Sequence, residues 1–250
     1  MTALKTIAIA FSMFSAIPMP LKADDWNEHN LRYLLCAFPL VGAVSATLFF
    51  AAFSLFSALP ILRAALLTAI PVLVTGGIHL DGLCDTCDAF FSHASRERKL
   101  EIMKDSHAGA FAIIYCALYF LLYFATCAEL QQIVPFCAVF VLERQLSALA
   151  VAVFPCAKNS GLAKTFSDSS AKSAVKIVNA SGFFILSALL IAVFGTTALT
   201  VILPCIANFA LYYAFSMRIF GGITGDLAGA FLQITELLAL LACVIGNQFL

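Results

Sequence analysis

Three aspartates at helical spacing form the cluster in this sequence that is best suited to chemistry. Asp81, Asp85 and Asp88 stand at i, i+4 and i+7, which places three carboxylates on one face of a helix. Like charges on one face repel each other, and a divalent cation would remove that repulsion. Oxygen ligands suit magnesium, with manganese as the alternative. The spacing therefore predicts a metal site, and the simpler alternative is a solvated acidic loop that ends a helix.

A glycine-rich segment near the C-terminus carries a fourth aspartate. In the run Gly221–Gly225 the glycines let backbone approach a ligand closely, and Asp226 lies where a helix is expected to begin. We predict Asp226 as a further metal ligand if this segment meets the aspartate cluster. Glycine pairs are also ordinary packing devices between membrane helices, so the segment alone does not decide its role.

Basic residues close to such carboxylates would hold anionic oxygens. Arg144 lies inside an apolar stretch, where a charge is costly and usually has a function. Its structural alternative, of equal weight, is pairing with Glu143 or a neighbouring carbonyl. Lys158 and Lys164 flank a candidate phosphate-contacting loop, although anchoring at the cytoplasmic face explains both lysines almost as well.

The pair Cys84 and Cys87 has the CxxC spacing of some zinc sites. Zinc needs four ligands and no second CxxC occurs, so we favour small side chains behind the aspartates. The nearby histidines His79, His93 and His107 keep zinc as a weaker alternative. The nine cysteines are irregularly spaced and do not form a disulfide framework.

The composition indicates that these candidate site residues belong to a membrane protein. Of the 250 residues 62% are hydrophobic and 11% are charged, and the mean hydropathy is +1.00. Soluble domains average about 25% charged residues. Backbone polar groups in lipid must be satisfied internally, and the long apolar runs favour helices over a barrel. The formal net charge is zero and no basic patch occurs, which excludes nucleic-acid binding.

The apolar runs predict an all-α, polytopic integral membrane helical bundle with about seven transmembrane helices in a single domain, residues 1–250. The segment Met1–Ala16 ends before Pro18 and Pro20, so it is predicted to be re-entrant or interfacial. It lacks a small-residue cleavage site and is expected to be retained. The predicted spans are Leu31–Leu59, Ile61–Ile78, Ala108–Ala128, Ile133–Phe154, Gly182–Phe194, Ala198–Phe215 and Ala228–Gly246.

The distribution of lysine and arginine predicts the orientation. Nearly all basic residues outside the spans fall on one side of a seven-span arrangement, and only Arg63 falls on the other. The positive-inside rule then makes the N-terminus cytoplasmic and puts the C-terminus on the far side. The polar loops at 79–107, 157–176 and 217–227 all become cytoplasmic. The motifs would therefore meet at one membrane face.

At these motifs the sequence resembles the adenosylcobinamide-GDP ribazoletransferases, the cobalamin synthase family of bacteria and archaea. The strongest part is the Gly-Gly-x-His-x-Asp-Gly-x-x-Asp-Thr-x-Asp run from Gly76 to Asp88. The resemblance covers nearly the whole chain, with two departures. Many members carry a Thr-Arg pair where this chain has Ser15-Ala16, and many have alanine and glycine where this chain has Cys84, Cys87 and Ala89. The other matching segments are Glu101–Phe111, Arg144 with Gly161-Leu162-Ala163 and Phe166, and Gly221–Ala230 with Glu236.

The resemblance implies a late step of cobalamin synthesis. Adenosylcobinamide-GDP and α-ribazole, or its 5′-phosphate, would give adenosylcobalamin, or its 5′-phosphate, and GMP. Metal ions on the aspartates would bridge diphosphate oxygens. Asp85 or Asp88 would be the general base, and Lys104 or Arg144 would stabilise charge on the transferred group. The candidate substrate-binding residues are His79, Asp105, Lys158, Lys164, Gly222, Thr224, Gly225 and Glu236.

The resemblance also implies a location and partners. The chain would be a multi-pass protein of the cell membrane of a prokaryote, with its active site facing the cytoplasm. Its partners would be the two substrates and the lipid bilayer. A homo-oligomer, or association with other enzymes of cobalamin synthesis, is compatible with the sequence.

Two other functions remain as alternatives. CDP-alcohol phosphotransferases are membrane enzymes with an aspartate-rich metal site, but after Asp81-Gly82 the arginine of their motif is missing and the later aspartates come too early. A cation-coupled transporter would place its carboxylates near the middle of the bilayer, often between repeated halves. Here the acidic residues gather toward one face and no internal repeat is evident, which favours the enzyme.

Overall fold

The computed structural model describes residues 2–246, so Met1 and residues 247–250 of the predicted domain lie outside it. Within that range the chain is helical and contains no strand, apart from an isolated bridge between Cys156 and Ile223. The helices are α1 Thr2–Phe14, α2 Glu28–Leu31, α3 Leu34–Leu55, α4 Pro60–Thr75, α5 Ile78–Phe91, α6 Arg96–Ile102, α7 Ala110–Glu129, α8 Ile133–Cys137, α9 Val139–Val153, α10 Leu162–Ser169, α11 Lys172–Phe194, α12 Leu199–Phe215 and α13 Gly225–Gly246. Short 3-10 turns at Ala23–Asp25 and Gly195–Ala198 and a π-helical turn at Ser216–Phe220 complete the elements.

The apolar helices confirm the predicted membrane bundle. Five helical segments in the described range are long and apolar enough to cross a membrane, or six if the bent pair α4–α5 counts as one span. The predicted number of about seven is not confirmed. The five segments are Leu34–Leu55, Ala110–Glu129, Ile133–Val153, Lys172–Phe220 and Gly225–Gly246.

The predicted and observed numbers of membrane spans differ because of two places in the chain. The predicted span Ile61–Ile78 ends at a break, because Gly76 and Gly77 both have left-handed backbone angles, with φ of 65° and 81°. There α4 and α5 meet at 93°. The predicted spans Gly182–Phe194 and Ala198–Phe215 belong to one continuous helical stretch, because a 3-10 turn rather than a polar loop joins α11 to α12.

Two helices form the centre of the bundle. Helix α9 packs against α3, α11, α12 and α13, while α13 also contacts α5, α7 and α12. The side chains of α9 are the most extensively buried of the spanning segments. Since α5 carries the three aspartates and packs along α13, the central helix fixes where those carboxylates lie.

The N-terminal helix α1 is apolar and has 13 residues, fewer than the roughly 20 needed to cross a bilayer. It packs against α3. Lys5 pairs with the carboxylate of Asp25, and this hydrogen bond lowers the pKa of Asp25. After α1, the Ala16 amide donates to the Val74 carbonyl at 2.8 Å. The end of α1 is thereby held beside the α4–α5 break.

Candidate active site

The site is organised by a close crossing of α5 and α13. A Cβ atom added to Gly82 would lie 2.6 Å from the carbonyl oxygen of Asp226, and one added to Gly229 would lie 3.0 Å from the carbonyl oxygen of His79. The two backbones therefore touch, as small residues allow in membrane helix pairs. This crossing brings the aspartate-bearing helix α5 to the glycine-rich C-terminal segment. The sequence predicted only that both segments would lie at the same membrane face.

The first turn of α13 presents Asp226. Helix α13 begins at Gly225, which confirms the prediction that Asp226 lies at a helix start. The Thr224 hydroxyl accepts a hydrogen bond from the Leu227 amide at 3.2 Å and lies 3.4 Å from the Asp226 carboxylate. Thr224 thus caps the helix. Its predicted role is substrate binding, and the observed contact orients Asp226.

The preceding glycine docks this turn on the loop after α9. Ile223 exchanges two backbone hydrogen bonds of 2.9 Å with Pro155 and Ala157. A Cβ atom on Gly222 would lie 2.4 Å from the Ala157 nitrogen, so only glycine fits between the segments. Gly222 therefore brings the Lys158 loop to Asp226.

A cavity of about 280 Å³, here called the aromatic cavity, opens beside the crossing. Asp81 and Asp226 line it together with His79, which is 6% exposed. Most of the remaining wall is apolar. Its aromatic residues are Phe14, Phe38 and Phe166, and Ser147 and Gly225 also contribute to the wall.

A second cavity of about 220 Å³, here called the lysine cavity, shares Gly225 and Asp226 with the first. Lys104, Lys158 and Lys164 line it, together with Thr224. The three lysines come from two separate polar segments of the sequence and therefore meet beside Asp226. The arrangement provides positive charge for an anionic group next to a carboxylate.

The three lysines differ in their surroundings. Lys158 donates from Nζ to the Leu100 carbonyl at 2.7 Å, and burial together with the charge of Lys104 lowers its pKa. Lys164 is held by Asp168 at 2.7 Å, a hydrogen bond that raises the pKa of Lys164. Lys104 is exposed and makes no ion pair within residues 2–246.

The aspartates of α5 have different environments. Asp81 is exposed and Asp85 is half-buried, and neither side chain accepts a hydrogen bond from any described residue. Asp85 lies within electrostatic range of Asp81, Asp88 and Asp226. Asp88 instead accepts hydrogen bonds from the Gly109 and Ala112 amides at 2.6 and 2.9 Å. Its carboxylate caps the N-terminus of α7.

The carboxylates fit a metal ion only if a substrate supplies further ligands. Within residues 2–246, no group of three or more His, Cys, Asp or Glu side chains is arranged to hold a metal ion by itself. The zinc alternative at Cys84 and Cys87 stays a weaker prediction. Magnesium is usually held by one or two carboxylates, waters and substrate phosphates. Asp81 and Asp226, which face one cavity beside the lysines, fit that kind of site.

Arg144 and Glu236 line neither cavity and belong to a network buried between helices. The Arg144 guanidinium lies 5.7 Å from the ring centre of Phe38, behind the wall of the aromatic cavity. The Nη1 atom of Arg144 donates hydrogen bonds to the Glu143 carboxylate at 2.6 Å and to the Phe140 carbonyl at 2.9 Å. Glu236 accepts from the Tyr123 hydroxyl at 3.4 Å and lies beside Glu143. Both structural partners considered for Arg144 are thus present. The predicted catalytic role of Arg144 and substrate-binding role of Glu236 stay predictions.

Asp105 lies on the surface between α6 and α7. Its carboxylate accepts from the His107 amide at 3.0 Å and lies 2.8 Å from the ring Nδ1 atom, and these hydrogen bonds lower the pKa of Asp105. Asp105 lines neither cavity, although the adjacent Lys104 lines one. The predicted substrate-binding role of Asp105 therefore has no supporting contact.

A third cavity of about 620 Å³, larger than these two, lies between α5, α12 and α13. Its wall is almost entirely apolar, with Phe90 and Phe215 among its aromatic side chains and Arg218 as its charged residue. None of the predicted site residues lines it. The predicted residues that line a cavity instead surround the two smaller cavities that share Asp226, whereas Asp85 and Asp88 line neither of them.

Comparison with known proteins gives the family. Residues 6–244 match the family described as cobalamin-5-phosphate synthase. This chain belongs to that family. An adenosylcobinamide-GDP ribazoletransferase of Lachnoclostridium phytofermentans is 45% identical over 98% of this chain and 95% of its own length. Relatives of the same name from Desulfitobacterium hafniense and a Geobacillus species are 33% and 34% identical, covering 96% and 91% of this chain and 97% and 90% of their own lengths.

No solved structure matches this chain. Membership makes the chain a transferase of cobalamin synthesis with several apolar membrane helices. The resemblance inferred from the Gly76–Asp88 run is thereby confirmed.

Several residues that line the aromatic cavity were not predicted as site residues from the sequence. Phe14 and Phe38 come from apolar helices, where an aromatic residue gives no signal of a site. Phe166 belongs to a segment that resembles the family, but no function was predicted for it. It lies on the inner face of the amphipathic helix α10. That amphipathic pattern, a buried phenylalanine on a short polar helix, was the available signal.

Proposed function

We propose that the chain joins adenosylcobinamide-GDP to α-ribazole, or to its 5′-phosphate, and releases GMP. Its relatives are named adenosylcobinamide-GDP ribazoletransferases, which supports the two substrates. The observation that carries the proposal is the pair of cavities sharing Asp226. One presents lysines to an anionic group, and the other offers an apolar chamber next to carboxylates. The lysines suit the diphosphate of one substrate, and the carboxylates and apolar wall suit the alcohol substrate beside it.

The lysine cavity would hold the diphosphate. Lys158 and Lys104 come from different loops and converge there, so their charges are arranged before the substrate binds. Lys164 extends the positive charge along the same wall. Preorganised cations of this kind stabilise the negative charge that develops on a transferred phosphoryl group.

Asp85 is the best candidate for the general base. The sequence offered Asp85 or Asp88, and the carboxylate of Asp88 is engaged by two amides of α7. Asp85 accepts no hydrogen bond from the described residues. In the proposed step the α-ribazole hydroxyl oxygen bonds to the phosphorus next to the cobinamide, the bond from that phosphorus to GMP breaks, and the hydroxyl proton passes to Asp85.

Asp81 and Asp226 would hold magnesium, or manganese, together with oxygens of the diphosphate. When bound, the ion would neutralise charge on the diphosphate and on the departing GMP. Thr224 orients Asp226 for that role through its cap at the start of α13.

The proposed setting is the cell membrane of a prokaryote, with the two cavities open to the cytoplasm. The distribution of lysine and arginine supports this orientation, since Lys104, Lys158 and Lys164 surround the proposed site.

The proposal is tested by supplying purified protein in detergent with adenosylcobinamide-GDP, α-ribazole and magnesium. We expect GMP and a corrinoid product in equal amounts, and we expect EDTA to stop both. Absence of GMP from folded protein contradicts the proposal. Parallel reactions with a CDP-alcohol and an alcohol acceptor, and cation uptake by vesicles, test the two alternative functions.

A further inference from the structure

The aromatic rings in the wall of the aromatic cavity come from four helices that are distant in sequence. The ring centroids of Phe14 and Phe38 are 4.3 Å apart, and Phe166 stands edge-on to Phe14 at 5.7 Å. His79 stands edge-on to Phe38 at 6.0 Å. Helices α1, α3, α5 and α10 each contribute one of these rings. A flat ring entering this chamber would meet aromatic faces and edges on several sides.

The polar groups of the chamber are few and unevenly distributed. Asp226 lies where the aromatic cavity adjoins the lysine cavity, and Asp81 lines the aromatic cavity alone. Elsewhere the wall holds Ser147 and His79, and the buried Nε2 atom of His79 has no hydrogen-bond partner among the described residues. A buried nitrogen without a partner is costly, so a ligand that supplies one hydrogen-bonding atom would be favoured.

We propose that the aromatic cavity is the subsite for the base of α-ribazole, a flat, largely apolar, benzimidazole-type ring with one free ring nitrogen. The base lies among Phe14, Phe38 and Phe166, and its ring nitrogen pairs with His79. The ribose then extends toward Asp81 and Asp226. This inference rests on the proposed function and adds the place and the selectivity of acceptor binding.

The chamber suits this base better than the guanine of the other substrate. Guanine carries several donors and acceptors on its edges, and burial against phenylalanine rings would leave most of them unpaired. A benzimidazole needs one partner, which His79 provides. Placing the acceptor base here also brings its ribose hydroxyl to the carboxylates and leaves the lysine cavity to the diphosphate.

Phe166 is the residue through which the inference is tested most sharply. It is 9% exposed and belongs to the short helix α10, whose other face is polar. In Phe166→Leu the apolar volume is nearly kept while the aromatic face is lost. We expect the KM for α-ribazole to rise about tenfold, in the range measured when a base loses one aromatic partner. The KM for adenosylcobinamide-GDP and the kcat at saturation should change less than twofold.

Phe14→Leu is the second variant, because it removes a ring from a different helix of the same chamber. Phe184→Leu is the matched control, since Phe184 is 71% exposed on α11. We expect Phe14→Leu to behave as Phe166→Leu does and Phe184→Leu to match the wild type. Unchanged α-ribazole KM in both chamber variants, or a selective rise in the KM for adenosylcobinamide-GDP, overturns the inference.

A measurement on the wild-type protein makes the test independent of how the variants fold. Irradiation with an azido derivative of the α-ribazole ring should label peptides that contain Phe14, Phe38 or Phe166, and excess α-ribazole should prevent the labelling. Protected labelling confined to other peptides overturns the inference. Absence of any GMP formation by the wild type would instead contradict the proposed function, so the two failures are distinguishable.

Discussion

Gly82 of α5 rests directly on the backbone of Asp226 in α13, so closely that an added Cβ atom would lie 2.6 Å from the Asp226 carbonyl oxygen and 2.9 Å from its Cα atom. Both contacts are with main-chain atoms, which cannot turn aside as a side chain could. The distance between the carboxylates of α5 and Asp226 therefore depends on the absence of a side chain at residue 82.

We expect Gly82→Ala to lower kcat/KM by at least tenfold. The added methyl must push α5 away from α13, and overpacking of this kind costs about 1–3 kcal/mol. Displacement of catalytic groups by about 1 Å can cost about 100-fold in rate. The measurement is steady-state GMP release. Ala192→Val, which adds carbon to an exposed position of α11, is the control and should retain full activity. Wild-type kinetics in Gly82→Ala would show that the crossing does not set the site.

Asp88 is expected to act mainly by capping the N-terminus of α7. Asp88→Ala removes the acceptor of the Gly109 and Ala112 amides, and loss of such a cap costs about 0.5–2 kcal/mol. The thermal midpoint of Asp88→Ala in detergent should be lower than that of the wild type. The midpoint of Asp88→Asn should fall less, because its side chain keeps one hydrogen-bond acceptor. A titration of activity with magnesium decides the predicted metal role. An unchanged half-saturating concentration in Asp88→Asn supports capping alone, and a large increase supports metal binding.

Lys158 should contribute to binding of the nucleotide substrate. We expect Lys158→Gln to raise the KM for adenosylcobinamide-GDP several-fold, because an uncharged amide replaces a cation in the lysine cavity. The KM for α-ribazole should be nearly unchanged. Lys176→Gln, on the exposed surface of α11, controls for a general change in charge. Equal effects of the two substitutions would contradict a specific role for Lys158.

Arg144 should matter for stability more than for substrate affinity. Its side chain and that of Glu143 are fully buried and paired at 2.6 Å. Removing one partner of a buried pair leaves the other charge uncompensated, at a cost of about 3–5 kcal/mol. Arg144→Met should therefore lower the thermal midpoint strongly, and the double variant with Glu143→Gln should recover part of it. A variant of wild-type stability without activity would support the catalytic role predicted from the sequence.

The parts of the site that follow local rules could be predicted from the sequence. The spacing of Asp81, Asp85 and Asp88 predicted one helix, and the glycine run predicted that Asp226 begins another, and both hold in the structure. The spans around Ala110–Glu129 and Ile133–Val153 were located to within two residues at each end. Long apolar runs give these boundaries because lipid excludes polar residues.

Features that depend on tertiary contact could not be predicted. The bend after Thr75 requires left-handed angles at two glycines, whereas glycine pairs also occur in straight membrane helices. The capping of α7 by Asp88 joins residues whose helices meet only in the folded chain. Phe14 and Phe38 look like ordinary apolar residues in the sequence, whereas Phe166 lies on an amphipathic segment. Only the packing of α1, α3 and α10 brings the three rings into one cavity.

The central claim is that carboxylates around Asp226 carry a metal-dependent transfer that releases GMP. The most direct measurement compares GMP release by wild type and Asp226→Asn across magnesium concentrations, with thermal unfolding in the same detergent as the control for folding. We predict a loss of about 100-fold or more in Asp226→Asn, with a near-normal midpoint, because the amide keeps the shape while removing the charge. Near-wild-type GMP release by Asp226→Asn would contradict the account.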